Sequence, residues 1–576
     1  MTGAETPGAA SVGATSGATV HPRQIVLVGL SGVGKSSVAE ALAARLNWPL
    51  IDTDDLVTER EGKTPAQLIV DKGESAFRDI EARIVAEATQ REPAVIATGG
   101  GAFQRAASRR ALGERGLICY LDATPSEIAR RLRAAPDASE RPLLGEDLEQ
   151  RLHELDAERR PYYSHADLWV PALGLSAGAI AERILQAWGT EGSRLVSHEG
   201  RLMRLGEDAP ARAPQAIVDT GRERYPIWVG AGERRRLTDR LRQLGLHGRV
   251  FLISDSDVME HHGASIIEAL DGGGVAGASY VVPAGESSKS LRVANEVYRW
   301  LAEQRAERRD IVVALGGGVV GDLAGYVAAT YLRGMPLVQI PTSVLAMNDS
   351  SIGGKVAVDL PQGKNLVGAF HQPAAVISDI EVLASLPQRA RVEGFAEVIK
   401  HALILDDELL GTLERNAHTL ASGEAEPQLL ADVVARSARL KALVVSADPT
   451  EQGLRAILNY GHTIGHAIEA ATAFGDYLHG EAVAIGMTGA ARIAARMGLL
   501  DESVAARQSE VLRAFGLPQR APGLDPTAIL GAMRMDKKVV GGRSRFVLLE
   551  GVGHAVVHDD VEPRMVEDVV RGLVVG

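Results

Sequence analysis

The sequence predicts an α/β chain in several folded units. One has a parallel sheet covered by helices, the next is a Rossmann-like α/β lobe, and the last is a mainly α-helical lobe. Three observations predict this. Short apolar runs alternate with helix-length periods from residue 24 onward, the βαβ rhythm of parallel sheets. Glycine-rich turns follow two of those runs, at residues 29–34 and 316–321. Beyond about residue 386 the short runs give way to long helical periods, such as Leu429, Leu430, Val433, Val434, Leu440 and Leu443.

In order, the first unit spans 23–188. Its strands are expected at 25–28, 49–51, 95–98 and 117–121, with a helix at 35–46 and a closing helix at 179–188. Residues 1–22 read as a disordered tail: the first twenty are almost all Ala, Gly, Ser, Thr and Val, without the Lys or Arg of a secretory or transit segment. Residues 189–215 hold Gly, Ser, Arg, Glu, Asp and Pro without a sustained period, and read as a linker. The second α/β unit covers 216–385, with buried parallel strands at 250–254 and 311–315. The helical lobe covers 386–576, with no further strand expected.

At 576 residues the chain is too long for one hydrophobic core. Hydrophobic content of 45% and charged content of 24% are ordinary for a globular protein. The net charge of −12 argues against nucleic acid or an anionic membrane as partner and leaves small anionic metabolites held in local basic pockets. No apolar run approaches the roughly 18 residues of a membrane span. The single cysteine, Cys119, lies in the apolar run Leu117-Ile-Cys-Tyr-Leu121. It reads as a buried strand residue, excludes an intrachain disulfide framework and suits a cytoplasmic protein.

Gly29-x4-Gly34-Lys35-Ser36 matches the full phosphate-loop pattern between a strand and a helix. Backbone N–H groups of Gly32, Val33, Gly34, Lys35, Ser36 and Ser37 are expected to cradle ATP phosphates, Lys35 to offset their charge, and Ser36 to ligate Mg2+. Asp52-Thr-Asp54, Gly73-Glu-x-x-Phe77-Arg78, Thr98-Gly-Gly-Gly101, Arg141-Pro-Leu-Leu144 and Arg159-x-Pro161-x-Tyr163 follow in order. This set resembles shikimate kinase over about residues 24–188. The resemblance implies that Asp52 holds Mg2+, and that Asp54 binds and helps deprotonate the attacking hydroxyl. It implies that Arg78 and Arg159 grip the substrate carboxylate, Gly99, Gly100 and Gly101 let the backbone approach substrate, and Arg141 in a lid stabilises the transferred phosphoryl group. Spacing alone does not separate Arg159 from Arg160.

In the second half, Gly316-Gly-Gly318-x-x-Gly321 follows an apolar strand, a weak dinucleotide signal by itself. Asp255 ends an earlier strand, where it can meet an adenosine ribose, and Pro283-x-Gly-Glu286-x-x-Lys289 is a further candidate loop. His462 and His466 stand four apart on one helix face; His479 and Glu397, in Ala-Glu397-Val-Ile-Lys400-His401, complete a catalytic-metal inventory of four groups, and spacing does not decide which three bind.

The stretch 217–570 resembles 3-dehydroquinate synthase. The matching residues are Gly316-Gly-Gly-Val-Val-Gly-Asp-Leu-Ala-Gly325, Tyr331-Leu-Arg333-Gly, Pro341-Thr-Ser-x-Leu-Ala-x-x-Asp349, Ser351-Ile-Gly-Gly-Lys355, Gly363-Lys364-Asn365, Asn459-x-Gly-His-Thr-x-Gly-His466 and Met535-Asp-Lys-Lys538. The resemblance implies Zn2+ or Co2+ on Glu397, His462 and His479, with His466 beside it as a substrate or proton-transfer group. It implies NAD on Asp255, Glu286, Lys289, Gly317, Gly318, Asp322, Thr342, Lys355 and Lys364. Substrate would meet Arg333, Asp349, Lys355, Lys364, Asn365, Lys400, Lys441, Arg455, Asn459 and Lys537, with Lys355, Lys400 and Asn365 among the catalytic groups. The implied reaction converts a seven-carbon keto acid phosphate to 3-dehydroquinate, with NAD regenerated each turnover.

The expectation is therefore a bifunctional enzyme of aromatic biosynthesis, a homodimer through the synthase half, with small-molecule substrates and no nucleic acid or membrane partner. The two steps are not consecutive, so no tunnel between the sites is expected. Three other readings stay open: a different small-molecule kinase in the first half, a metal-dependent polyol dehydrogenase in the second, and a non-enzymatic docking role for the first.

Overall fold

A computed structural model describes residues 22–134, 148–191, 205, 213–472, 475–535, 539–540 and 543–575. Arg141 and Lys537, both expected in active sites, lie outside the described residues, as does most of the 1–22 tail.

Five strands form the first sheet: β1 (Gln24–Val28), β2 (Leu50–Asp52), β3 (Ala94–Ala97), β4 (Gly116–Asp122) and β5 (Leu168–Pro171). Their order is β2-β3-β1-β4-β5, and every pairing is parallel. All five residues of β1 are buried, because helices cover both faces. On one side lie α1 (Lys35–Leu46) and, after the last strand, the closing helix Ala177–Glu191. On the other lie α2 (Thr53–Glu61) and α3 (Glu74–Ala88). A further helix, α4 (Leu148–Tyr163), precedes β5. Cys119 is fully buried on β4, and burial pushes its thiol pKa up. Within the 189–215 stretch, Leu205 is buried against Gly113, and Arg109 Nε donates to its carbonyl at 2.9 Å.

The second sheet has seven strands in the order β6-β7-β14-β11-β10-β8-β9. They are β6 (Ala216–Asp219), β7 (Arg224–Gly230), β8 (Val250–Asp255), β9 (Gly277–Val282), β10 (Ile311–Gly316), β11 (Leu337–Pro341) and β14 (Ala375–Asp379). Only the β6–β7 pair is antiparallel. From β8 the chain steps outward to β9, then returns to β10 on the opposite flank of β8. A crevice therefore opens at the carboxyl ends of β8 and β10, where the direction of winding reverses. Between β11 and β14, β12 (Lys355–Leu360) and β13 (Gly363–Phe370) form a separate hairpin.

Beyond the second sheet come α5 (Gln388–Leu405), α6 (Pro427–Ala447), α7 (His462–Ala471) and α8 (His479–Arg496), packed in one large apolar cluster. The expectation that strands end near residue 386 is corrected here. Short pairs stand at Val539–Val540 with Arg543–Ser544 and at Phe546–Gly551 with His554–His558. The second pair is a hairpin in which the apolar run Phe546 to Leu549 is buried against the helices, and Gly553, at φ +80°, takes a left-handed turn position. Among the described residues, no helix is long and apolar enough to cross a membrane.

Candidate functional site

The phosphate loop links β1 to α1. Gly29, Gly32 and Gly34 have φ of +145°, +84° and +104°, conformations that a side chain disfavours. Lys35 Nζ donates to the carbonyls of Gly29 and Leu30 at 3.0 and 2.9 Å, so the cation sits under its own loop. Burial lowers its pKa to about 8, against the opposing pull of Asp54 and Asp52. Ser36 Oγ donates to Asp52 Oδ2 at 3.2 Å, which brings the two expected Mg2+ ligands together. Asp52 also caps α2 through the Asp54 N–H at 2.9 Å.

The glycine triplet forms the opposite wall. A Cβ on Gly99 would lie 2.5 Å from Asp54 Oδ1, one on Gly100 would lie 3.0 Å from Arg159 Nη1, and one on Gly101 would lie 2.5 Å from Arg78 Nη2. Asp54, Arg78 and Arg159 therefore converge on one strip of backbone that only glycine allows. Burial, reinforced by Asp52, raises the Asp54 pKa to about 6. The Nε of Arg159 is buried and lacks a hydrogen-bond partner, as expected of a guanidinium awaiting an anion. Arg160 points elsewhere, to Asp122 at 2.9 Å and Asp156 at 3.0 Å. Arg78 is held by Glu81 at 2.8 Å and Glu74 at 2.9 Å; Glu81, buried beside Gly99, was not singled out from the sequence, although its i+3 spacing from Arg78 was readable.

In the second half, the crevice between β8 and β10 gathers Asp255, Gly317, Gly318 and Thr342. Asp255 ends β8 and its side chain accepts from the Asp257 and Val258 N–H groups. Gly318 starts the helix Gly318–Thr330, and Thr342 N donates to Gly316 O at 3.0 Å. Lys289 pairs with Asp322 at 2.5 Å; burial still raises the Asp322 pKa to about 6. Lys364 Nζ lies 3.6 Å from Glu286.

Glu397 on α5, His462 opening α7 and His479 opening α8 bring ligand atoms within 4.8 Å of one another. Glu397 Oε1 is buried without a hydrogen-bond partner, yet lies 3.5 Å from His462 Nε2 and 3.7 Å from His479 Nε2. Those gaps are long for hydrogen bonds and close to the roughly 3.4 Å that separates ligands about 2.1 Å from a tetrahedral ion. The far side of each ring is engaged: His462 Nδ1 contacts Tyr460 O at 3.1 Å and His479 Nδ1 contacts Glu469 at 3.3 Å, which aims both Nε2 atoms at Glu397. The three groups fit a divalent ion. His466 lies alongside, its ring edge-on to that of His462 with centroids 5.1 Å apart. Burial lowers the His401 pKa to about 3; its Nδ1 contacts Ser437 Oγ at 2.9 Å.

Around this cluster, Lys400 pairs with Glu397, and Lys441 with Asp349. Burial opposes ionisation of Asp349, but Lys441 and Lys400 outweigh it and hold the carboxyl well below its ordinary range. Arg455 donates to Pro449 O at 2.8 Å. Lys355 and Asn459 meet on Glu451, Asn459 at 2.8 Å; Glu451 sits at φ +59° and carries no sequence signal that would have found it. Arg333 is exposed at φ +64°, and Asn365, exposed at φ +56°, donates its N–H to Asp359 at 2.7 Å.

These features define a chain of two enzymes, a phosphate-loop kinase followed by a nucleotide-binding lobe closed by a histidine-carboxylate metal centre. Residues 31–188 match the shikimate kinase family, 279–393 the 3-dehydroquinate synthase N-terminal family and 394–539 its C-terminal family. A 3-dehydroquinate synthase of Symbiobacterium thermophilum is 50% identical over 60% of this chain and 97% of its own length, and one of Paracoccus denitrificans is 44% identical over 61% and 97%. A solved 2-epi-5-epi-valiolone synthase of Streptomyces hygroscopicus with NAD+ and Zn2+ bound is 30% identical, covering 61% of this chain and 96% of that one, at a TM-score of 0.57. The chain belongs to the 3-dehydroquinate synthase family and carries a shikimate kinase domain ahead of the synthase. Both activities belong to aromatic biosynthesis, and the alternative pairing with a polyol dehydrogenase is not favoured.

Proposed function

We propose that the first site phosphorylates shikimate with ATP and Mg2+, and that the second converts 3-deoxy-D-arabino-heptulosonate 7-phosphate to 3-dehydroquinate and phosphate. The working units would be 23–188 and 216–576, the latter divided near residue 385. In the kinase, Arg78 and Arg159 hold the carboxylate, Asp54 accepts the proton of the attacking hydroxyl, and Lys35 with the loop N–H groups holds the transferred phosphate. Ser36 and Asp52 would hold Mg2+, and Arg141 would close over the phosphates.

In the synthase, Asp255, Glu286, Lys289, Gly317, Gly318, Asp322 and Thr342 would hold NAD. Lys355, Lys364, Asn365, Arg333, Arg455, Asn459 and Lys537 would fix the anionic ends of substrate, with Asp349, Lys400 and Lys441 close to the reacting centre. When bound, NAD+ supplies a hydride acceptor reused within one turnover, and Zn2+ or Co2+ on Glu397, His462 and His479 supplies Lewis acidity. His466 would move protons at the substrate hydroxyl. Lys355 and Asn459, anchored by Glu451, would present their remaining donors to substrate oxygens.

The observation that carries this reading is the unpartnered Glu397 Oε1 facing two Nε2 atoms. Metal analysis of purified protein beside a phosphate-release assay with catalytic NAD tests it. A protein that releases phosphate stoichiometrically while carrying no divalent ion after dialysis would overturn it.

A homodimer through the synthase half is proposed on the resemblance alone, and sedimentation at monomer mass would refute it. The cytoplasm is the proposed location, supported by the single buried Cys119; recovery of the native protein in a secreted fraction would refute it.

A further inference from the structure

The kinase unit and the synthase meet through buried charge. Asp122, at the end of β4, and Asp156, on α4, face Arg160 on the kinase side. Arg160 reaches Asp122 at 2.9 Å, Asp156 at 3.0 Å and the Tyr120 hydroxyl at 3.0 Å. Tyr120 in turn donates to Asp122 at 3.1 Å. Two carboxylates and one guanidinium leave this kinase-side group one charge negative. The missing cation comes from the other enzyme. Arg439, on α6 of the synthase, pairs with Asp156 and reaches Asp122 at 3.2 Å and the Ala123 carbonyl at 3.4 Å. Asp122 and Asp156 are 8% and 6% exposed, and both arginines 12%, so solvent does little to screen the group.

The position of this quartet gives it a consequence. Asp156 and Arg160 lie on the last two turns of α4, and Arg159, between them, turns its guanidinium toward Gly100. Whatever holds Asp156 and Arg160 therefore sets where Arg159 stands. We propose that Arg439 of the synthase is a positioning residue for the kinase: it supplies the second positive charge of the Asp122–Asp156–Arg160 group, fixes the end of α4 and so places Arg159 at the carboxylate end of the kinase pocket. The kinase half is then incomplete by one charge without its fused partner. This rests on the reading of Arg159 as a carboxylate clamp.

Removing Arg439 leaves an uncompensated buried carboxylate, which is costly, whereas removing Asp156 with it restores balance between Asp122 and Arg160. The test uses full-length protein with R439Q, D156N/R439Q and R159Q, measuring KM for shikimate, KM for ATP and synthase kcat/KM on each sample. R439Q is expected to raise KM for shikimate at least about tenfold while KM for ATP and the synthase change by less than about twofold. D156N/R439Q is expected to recover most of the loss. If R439Q is insoluble, the double variant is expected to be soluble. An unchanged shikimate KM in R439Q, equal rises for both kinase substrates, or a double variant no better than R439Q overturns the proposal. R159Q separates the two readings. If it leaves shikimate KM unchanged, the clamp reading itself fails; if it raises KM while R439Q does not, only the charge-completion proposal fails.

Discussion

Lys441 Nζ donates to the backbone carbonyl of Asp349 at 2.7 Å and also pairs with its carboxylate. One contact joins helix α6 of the helical lobe to the turn that follows β11 of the nucleotide lobe. Burial lowers the Lys441 pKa to about 8, with Asp349 pulling the other way.

Lys441→Met therefore leaves the part-buried Asp349 carboxylate, 28% exposed, without its main partner, and the expected cost is about 3 kcal/mol, the low end for buried pairs. The C-terminal half is expected to unfold at lower urea, and Lys441→Met with Asp349→Asn to recover part of the loss. Equal stability of the single variant and the parent, read from urea unfolding, would show that the pair is not coupled.

The raised pKa of Asp54 sets a pH limb for the kinase. Burial favours the protonated acid, the reaction needs the carboxylate, and the proton leaves as pH rises through about 6. Below that value kcat/KM for shikimate is expected to fall about tenfold per pH unit, and Asp54→Asn to lose roughly 10²–10⁴-fold activity. A limb near the ordinary aspartate value would mean that Asp54 is not the titrating group.

Gly101→Ala places a methyl against the Arg78 guanidinium. Displacement of one clamp is expected to raise KM for shikimate on the order of 10–100-fold while leaving KM for ATP near its parent value. A parallel rise in both constants would instead indicate general damage to the fold.

Glu451→Ala frees Lys355 and Asn459 from the carboxylate that now joins them. Synthase kcat/KM is expected to fall at least about tenfold, since two substrate-facing groups lose their common anchor. An unchanged value, measured by phosphate release, would make Glu451 a bystander.

Much of this was legible locally. The phosphate loop, the glycine triplet and the His462–His466 pair are short-range patterns whose geometry follows from one turn or one helix. The Arg159–Arg160 choice was not legible, because neighbours on a helix point about 100° apart and either could face the pocket; the partners Asp122 and Asp156 take Arg160 away. Glu451 and Arg439 were invisible for another reason. Lys355, which Glu451 joins to nearby Asn459, is about a hundred residues distant, and the carboxylates that Arg439 meets are about three hundred residues distant, so tertiary packing unites them. The hairpin ending at His558 was missed because its apolar run is short and lies among long helical periods.

The most direct test of two independent chemistries on one chain uses a single preparation dialysed against a chelator and returned to Mg2+ alone. Shikimate phosphorylation is expected to persist and phosphate release from the heptulosonate phosphate to vanish, with Zn2+ or Co2+ restoring the latter. Synthase turnover that survives the treatment, or kinase turnover that needs the transition metal, would contradict the assignment of Glu397, His462 and His479.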